Sequence, residues 1–282
     1  MRDGTRSNYV DLHIHSTYSD GLSTIREIVE AASTKQMAAI SLTDHDCIAG
    51  VAELTELAGR IGLEVVPGVE ISSLHDNQDF HILGYFFDIH NDNLNRKLDE
   101  IRQIRIERAR KIIDKLSAKG IVLRFERVQE FSKGFSLGRP HIAAALIAEE
   151  YVNNVAEAFD RYLNNNSEFY VPIQKLTPPE AIALIKEAGG IAILAHPHIN
   201  KDDSILETLV QEGLDGLEVY HPRMPYQAVR QYRQFCHKYD LIETGGSDSH
   251  GAPHEHGIGS ARAPYSAVEK MKHRQEKTTL LH

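Results

Sequence analysis

The feature that most constrains the fold is the alternation of short apolar runs with amphipathic stretches along most of the 282 residues. Tyr9–His15 reads as a strand, and Thr24 with Glu27 has the spacing of a capping box that opens a helix through Ile25, Ile28, Val29 and Ala32. Met37–Thr43 is a short apolar run, expected as a buried strand, and Ala49–Ile61 is helical. Glu64–Ser72 and Phe80–Phe87 read as further strands. The rhythm resumes later with helix Pro178–Ala188, strand Gly190–Ala195, helix Ser204–Glu212, strand Gly216–Tyr220, helix Tyr226–Tyr239 and strand Ile242–Gly246. Strands alternating with helices of about 10–15 residues predict a parallel sheet or barrel, whose strand C-termini share one face.

Residues 91–170 break that rhythm. They carry almost no strand signal and read as successive helices over Asn95–Lys119, Phe125–Phe131, Pro140–Glu149 and Val155–Leu163. The expected organisation is therefore a discontinuous α/β barrel over residues 8–90 and 171–265, an all-α insertion over 91–170, and a C-terminal tail over 266–282 that is a final helix or a frayed end. A long insertion placed after a strand is a natural lid or substrate grip.

Composition removes several classes of function. No apolar run approaches the roughly 18–20 residues needed to cross a bilayer, and Met1–Arg6 is not followed by an apolar signal-peptide core. Two cysteines, Cys47 and Cys236, make no disulfide framework, so the expected setting is reduced and cytoplasmic. A formal net charge of −9 argues against broad nonspecific binding to nucleic acid, though not against a local basic groove.

The sixteen histidines are not scattered. His13 and His15 stand at i and i+2 of one strand, hence on one face, with Asp20 just beyond. Asp44-His45-Asp46 follows the second strand, Glu70 lies inside the third, and His81 lies in the fourth. His196 ends the strand after the helical stretch, and Asp248 and His250 end the last. Each alone is compatible with an ordinary hydrogen-bonded or surface residue. A carboxylate inside an apolar strand, as at Glu70, is costly without a cation. Five or six strand ends delivering His, Asp or Glu to one face form the pattern of a polynuclear metal site, and imidazole and carboxylate without thiolate suit Zn²⁺, Mn²⁺ or Fe²⁺.

Asp11-Leu12-His13-Ile14-His15-Ser16 with Ser19-Asp20-Gly21, Thr43-Asp44-His45, Gly68-Val69-Glu70, Ala195-His196-Pro197 and Asp248-Ser249-His250 resemble the signature motifs of the PHP (polymerase and histidinol phosphatase) superfamily. The resemblance covers both α/β parts and implies a distorted, TIM-like (β/α)7 barrel holding two or three divalent metal ions. The helical stretch and Gly138-Arg139-Pro140-His141 further resemble the branch of 3′,5′-nucleotide bisphosphate phosphatases, whose members also act as 5′-to-3′ exoribonucleases on short RNA. Carried across, the ligand set falls on His13, His15, Asp20, His45, Glu70, His81, His196, Asp248 and His250. By analogy His13, His15, Glu70 and Asp248 hold one metal, and Glu70, His81 and His196 a second with Glu70 bridging. Asp20, His45 and His250 then hold a third.

What this implies is hydrolysis of the 3′-phosphate of a 3′,5′-bisphosphonucleotide, with short single-stranded RNA taken from its 5′ end as a related substrate. The nucleophile would be a metal-bridging hydroxide held by Glu70, with no serine or cysteine required. The competing readings are a histidinol-phosphate phosphatase or other small phosphomonoesterase, and a metal-stabilised scaffold without activity. The helical insertion disfavours the former; the intact ligand set disfavours the latter.

Three residues outside the metal set are candidates for the substrate. Arg139 begins a helix through Ile142, Ala143 and Leu146, where a helix N-terminus and a guanidinium fork both suit phosphate; a surface arginine beside a cap is the alternative. His141 would bind phosphate or protonate a leaving oxygen, or is a plain surface histidine. Arg105 interrupts the apolar stripe of Leu98, Ile101, Ala109, Ile112 and Leu116. It either faces the cleft to meet a phosphate, with Arg102 or Arg108, or pairs with a carboxylate or reaches the surface. His221 ends another strand and is a second candidate acid. Where relatives of this branch carry a Gly-Lys pair, this chain has Asn164-Asn165-Asn166-Ser167, with no lysine until Lys175.

Overall fold

Local signals in the sequence place the elements. Thr24 and Glu27 form the expected reciprocal cap, Glu27 N donating to Thr24 Oγ1 (3.3 Å) and Thr24 N to the Glu27 carboxylate (2.7 Å). Thr177 and Glu180 repeat it, the Glu180 carboxylate accepting from Thr177 N at 2.7 Å. The computed structural model describes residues 7–132, 136–200, 203–251 and 256–279.

Among these, the strands are β1 (Tyr9–Asp11), β2 (Ala39–Leu42), β3 (Glu64–His75), β4 (Gln78–Tyr85), β5 (Ile191–Leu194), β6 (Gly216–Tyr220), β7 (Ile242–Gly245) and β8 (Ala263–Pro264). The helices are α1 (Ile25–Thr34), α2 (Val51–Gly59), α3 (Asp92–Ser117), α4 (Phe125–Ser132), α5 (Arg139–Ala148), α6 (Val155–Ala158), α7 (Pro178–Glu187), α8 (Pro197–Asn200), α9 (Leu206–Gln211), α10 (Tyr226–Lys238) and α11 (Ser266–Thr279). The stretch expected as one helix over Val155–Leu163 is α6 running into a π-helical turn, Phe159–Leu163. The C-terminal stretch is helical, as α11.

The strands hydrogen-bond in the order β7-β6-β5-β4-β3-β2-β1-β8, and the sheet curls into a nearly closed barrel. It closes where the chain beyond β7 meets the chain beyond β1. Leu12 N donates to Gly245 O (3.2 Å), Asp248 N to His13 O (2.9 Å) and His15 N to Ser249 O (3.0 Å). Gly246 permits that approach, because a Cβ there would lie 2.3 Å from the His13 backbone nitrogen. β8 flanks β1 in antiparallel fashion.

The sheet is not parallel throughout. β4 runs antiparallel to both β3 and β5, because β3 continues to His75 and returns through Asp76 and Asn77 at φ of 48° and 62°. Two residues in that left-handed conformation make a hairpin turn, and so short a link admits no parallel crossover. His81 lies opposite Ser72 in this register. An early residue of β4 thereby reaches the face where the parallel strands end.

Apolar clusters fill the inside and outside of the barrel, and the helices between Asp92 and Leu163 have one of their own. Ala109, Ile112 and Leu116 of α3 pack there with Val128, Ile142 and Leu146.

Candidate metal centre

The strand ends bring all nine predicted ligands into one cluster. Glu70 sits at its middle, 1 % exposed. Its Oε2 lies 3.0 Å from His45 Nδ1, 3.2 Å from His15 Nε2 and 3.4 Å from His13 Nε2. Its Oε1 lies 2.8 Å from His81 Nδ1 and 3.2 Å from His196 Nε2. Asp248 Oδ1 is 3.3 Å from His15 Nε2 and 3.4 Å from His13 Nε2. On the outer side Asp20 approaches His250 Nε2 (3.5 Å), His15 Nδ1 (3.7 Å) and His45 Nε2 (3.7 Å).

Four overlapping sets of donor atoms lie within 4.8 Å of one another: His15, Asp20, His45 and His250; His13, His15 and Asp248; His13, Glu70 and His196; His45, Glu70 and His81. His45 therefore leans to Glu70 and His81 as well as to Asp20 and His250, a sharing that the analogy-based grouping lacked.

The residues fit divalent cations. His13 Nε2, both His15 nitrogens, His45 Nδ1, His196 Nδ1 and Glu70 Oε2 are buried without a hydrogen-bond partner among the described residues. Buried polar atoms are rarely left so, and here they belong to side chains whose donor atoms gather within 4.8 Å of one another in overlapping sets. Charge agrees. Burial opposes ionisation of Glu70, yet the imidazoles of His45, His81 and His13 hold its pKa well below the usual carboxylate range. Burial likewise works against Asp248 and Asp20, but His13 and His45 respectively lead the groups that hold their pKa values well down. Burial lowers His45 to about 3; it also works against His15, but the carboxylates of Asp248 and Glu70 at 3.3 and 3.2 Å outweigh it and raise His15 to about 10. Three carboxylates kept ionised in a buried cluster, with imidazole donors among them, form the deprotonated ligand set that divalent cations need.

A ring of partners orients the ligands. Glu218 of β6, fully buried, takes His13 Nδ1 at 3.0 Å and the His196 backbone N–H at 2.8 Å. The first contact turns His13 Nε2 to the cluster; the second steadies His196, whose φ of +27° is unusual for a histidine. Asp44 accepts from Ser16 N (2.7 Å), Ser16 Oγ (2.7 Å) and Ser19 Oγ (2.5 Å), shaping the turn that carries Asp20. Asp11 accepts from Ser247 N at 2.8 Å and Gly259 N at 2.6 Å. Sequence reading missed Glu218 as a partner, although a glutamate inside the apolar strand Gly216–Tyr220 carries the same signal as Glu70.

The other candidates are placed differently from one another. His221 Nε2 lies 3.5 Å from Asp248 Oδ2 while its Nδ1 accepts from Arg223 N at 3.1 Å, so it stands at the cluster's edge. His141 is a latch: its Nδ1 accepts from Gly138 N and its Nε2 donates to Ser19 O, both at 2.9 Å. With both nitrogens committed to backbone, it holds α5 against the turn carrying Asp20 and has none free for a phosphate or for proton transfer.

Arg105 has the carboxylate partner that was its alternative. Its Nε donates to Asp46 Oδ2 at 2.9 Å, and its Nη2 bonds both Asp46 Oδ2 and Ser72 Oγ. Arg139 Nη1 donates to Leu163 O (2.8 Å) and Asn165 Oδ1 (2.7 Å), so the loop replacing the Gly-Lys pair steadies this arginine. Arg105, Arg108 and Arg139 line one small pocket with Leu137, Gly138 and Ile142, tied to the cluster's turns by Arg105 at Asp46, next to His45, and by His141 at Ser19, next to Asp20. Arg102 instead pairs with the exposed Asp99 at 2.9 Å.

A barrel with a His/Asp/Glu cluster at its strand ends, short of hydrogen-bond partners and beside an arginine pocket, defines a metal-dependent phosphoester hydrolase. The profile of the PHP domain matches residues 11–175, and the chain belongs to that family. It is 33% identical over 245 residues to a 5′-3′ exoribonuclease of Haemophilus influenzae, covering 85% of this chain and 89% of that one. It is 32% identical over 254 residues to a 3′,5′-nucleoside bisphosphate phosphatase of Chromobacterium violaceum (88% and 89%). It is 31% identical over 245 residues to a phosphoribosyl 1,2-cyclic phosphate 1,2-diphosphodiesterase of Eggerthella lenta (86% and 94%). Among solved structures, one assigned as a metal-dependent phosphoesterase of Bifidobacterium adolescentis superposes with a TM-score of 0.87 at 31% identity, covering 94% of this chain and 96% of that one. Among the described residues, no helix is long and apolar enough to cross a membrane.

Proposed function

We propose that this hydrolase removes the 3′-phosphate of 3′,5′-bisphosphonucleotides and, by cutting the same P–O3′ bond, releases nucleotides from the 5′ end of short single-stranded RNA. The observation that carries this reading is the arginine pocket beside the metal ligands. A substrate with one phosphate needs only the cluster; three guanidinium groups gathered at one small pocket suit a second phosphate. Arg108 supports this, since burial first, and then the charges of Arg139 and Arg105, lower its pKa to about 10. Cations so crowded favour an anion among them. The named activities of the Haemophilus and Chromobacterium relatives point the same way.

Two or three divalent ions, of manganese, zinc or iron, would be held by His13, His15, Asp20, His45, Glu70, His81, His196, Asp248 and His250. Such ions acidify a water and neutralise phosphoryl oxygens. The chain's own groups do the rest. Glu70 faces three histidines, His13, His15 and His45, through Oε2 and two, His81 and His196, through Oε1, and so would span neighbouring metal positions. Arg139 and Arg108 hold the 5′-phosphate, while Arg105, neutralised by Asp46, sets the pocket wall. Water adds to phosphorus, the bond to the ribose 3′ oxygen breaks, and that oxygen takes a proton, for which His221 beside Asp248 is the proposed donor. Residues 91–170 act as the module that grips the nucleotide, tied to the rim through Arg105 and His141.

The test is a turnover screen of the metal-loaded protein on adenosine 3′,5′-bisphosphate, a 5′-phosphorylated oligoribonucleotide, histidinol phosphate and a phosphoribosyl 1,2-cyclic phosphate. The first two should be turned over with the highest kcat/KM. Preference for either of the last two would overturn the assignment.

A further inference from the structure

The face of α10 is basic and aromatic in a way the metal centre does not use. From Pro222 to Tyr239 the chain contains Arg223, Arg230, Arg233 and Lys238 and no acidic residue, although the whole protein carries 40 Asp and Glu and a net charge of −9. Tyr226 opens the helix 83 % exposed, the most exposed large apolar side chain among those described. Tyr226, Val229, Arg230, Gln234 and His237 recur at helical spacing and line a groove of about 340 Å³. From Tyr226 to His237 the face runs for about 16 Å at the α-helical rise. Glu243 on β7 also lines it, but is spent on Arg233 (3.1 Å) and on the Tyr220 hydroxyl (2.9 Å). Lys238 is paired with Glu207 at 3.3 Å, whereas Arg223 and Arg230 have no ion-pair partner among the described residues.

The helix that carries the groove starts just after a residue at the edge of the metal centre. Tyr226 follows His221 by five residues, and His221 touches Asp248. It also lies on the opposite side of the barrel from the arginine pocket. Arg105 is bound to Asp46 and Ser72, beyond β2 and on β3, whereas α10 follows β6. In a ring that closes between β7 and β1, β6 stands three strands from both β2 and β3.

We propose that this groove is the track for the 3′ part of single-stranded RNA, beyond the phosphate being cut. It rests on the reading of the metal centre as the place where a 5′-terminal nucleotide is released. With the terminal nucleotide in the arginine pocket and the scissile phosphate over the metal ligands, the rest of the chain leaves on the far side. There Tyr226 offers a stacking platform and Arg223 and Arg230 meet successive phosphates. An exposed aromatic ring with arginines on the same helix is the chemistry that binds single strands with little sequence preference. A mononucleotide would never reach it.

The experiment measures anisotropy of a 3′-fluorescein pentaadenylate carrying a 5′-phosphate, with 2′-O-methyl phosphorothioate linkages that resist hydrolysis. The metal-loaded protein is compared with Tyr226→Ala and Arg230→Ala, and turnover of adenosine 3′,5′-bisphosphate is assayed alongside. Tyr226→Ala should weaken binding about tenfold, the loss expected for one stacked base. Arg230→Ala should flatten the slope of log Kd against log salt by about 0.7. Both variants should turn over the mononucleotide at the wild-type kcat/KM. An unchanged Kd in both variants, or equal losses on the oligonucleotide and the mononucleotide, would overturn the track. So would competition by polyglutamate as strong as by unlabelled pentaadenylate, which would mark a face for acidic protein. A wild-type protein that binds the oligonucleotide through Tyr226 but never turns over the bisphosphate would instead sink the reading of the metal centre.

Discussion

Replacing Asp46 with Asn tests what joins the helical segment to the barrel. Asp46, 4 % exposed, lies in the turn after β2 and receives Arg105 of α3 through two guanidinium nitrogens, while its other oxygen accepts from Ser72 N at 2.8 Å. Arg105 has its remaining partner in Ser72 Oγ at 2.9 Å. The amide keeps the shape but removes the charge, leaving a largely buried guanidinium with no anion. Breaking a buried pair in this way costs about 3–5 kcal/mol, against a net worth near zero for the intact pair relative to apolar replacements. For a chain of this size that corresponds to a fall in Tm of roughly 5–8 °C. Calorimetry and urea denaturation of Asp46→Asn, Arg105→Met and the double variant give the cycle. The double variant should recover most of the loss, since it leaves no orphaned charge. A single-variant loss below about 1 kcal/mol, or a double variant as unstable as the sum of the singles, would refute the account of Arg105 as a buried structural pair.

Three further outcomes follow from the site. Glu218→Gln should weaken metal binding about 10–100-fold without unfolding the protein, because the amide orients His13 less firmly and lowers its basicity; isothermal titration with Mn²⁺ or Zn²⁺ reads it, and unchanged affinity would remove Glu218 from the orienting ring. The wild-type protein should carry about two to three transition-metal equivalents by elemental analysis, and Glu70→Gln should carry fewer and lose hydrolysis while keeping its circular dichroism, so activity retained at wild-type level would end the bridging role. Arg139→Ala should raise KM for adenosine 3′,5′-bisphosphate about 10–100-fold, as expected for a lost charge-assisted contact, and leave KM for an aryl phosphate nearly unchanged. Equal effects on the two substrates would take Arg139 out of the phosphate pocket.

Much of the scaffold was legible from local signals. Thr24/Glu27 announced a helix start because a cap is a contact within four residues, and Thr177/Glu180 carries the same local signal. Glu70 stood out because a carboxylate in an apolar strand needs compensation wherever that strand is placed. What could not be read was anything set by contacts between distant segments. The hairpin through Asp76-Asn77 reverses β4 and decides which way His81 faces, and its two left-handed residues left only a weak mark in the sequence.

The sequence by itself determined the chemistry of this protein: which side chains can ligate a cation, that they fall at strand ends, and that helices replace the alternation between residues 91 and 170. Tertiary structure decided how those groups are used. His141 and Arg139 stand two residues apart in one motif, yet one is spent on the Ser19 carbonyl and the other faces the pocket beside Arg108. Arg105 has a carboxylate partner only because α3 lies against Asp46, fifty-nine positions away. Residue type sets what a group can bind, but a hydrogen bond or charge pair is satisfied in space, and partners far apart in the chain are chosen only when the barrel closes.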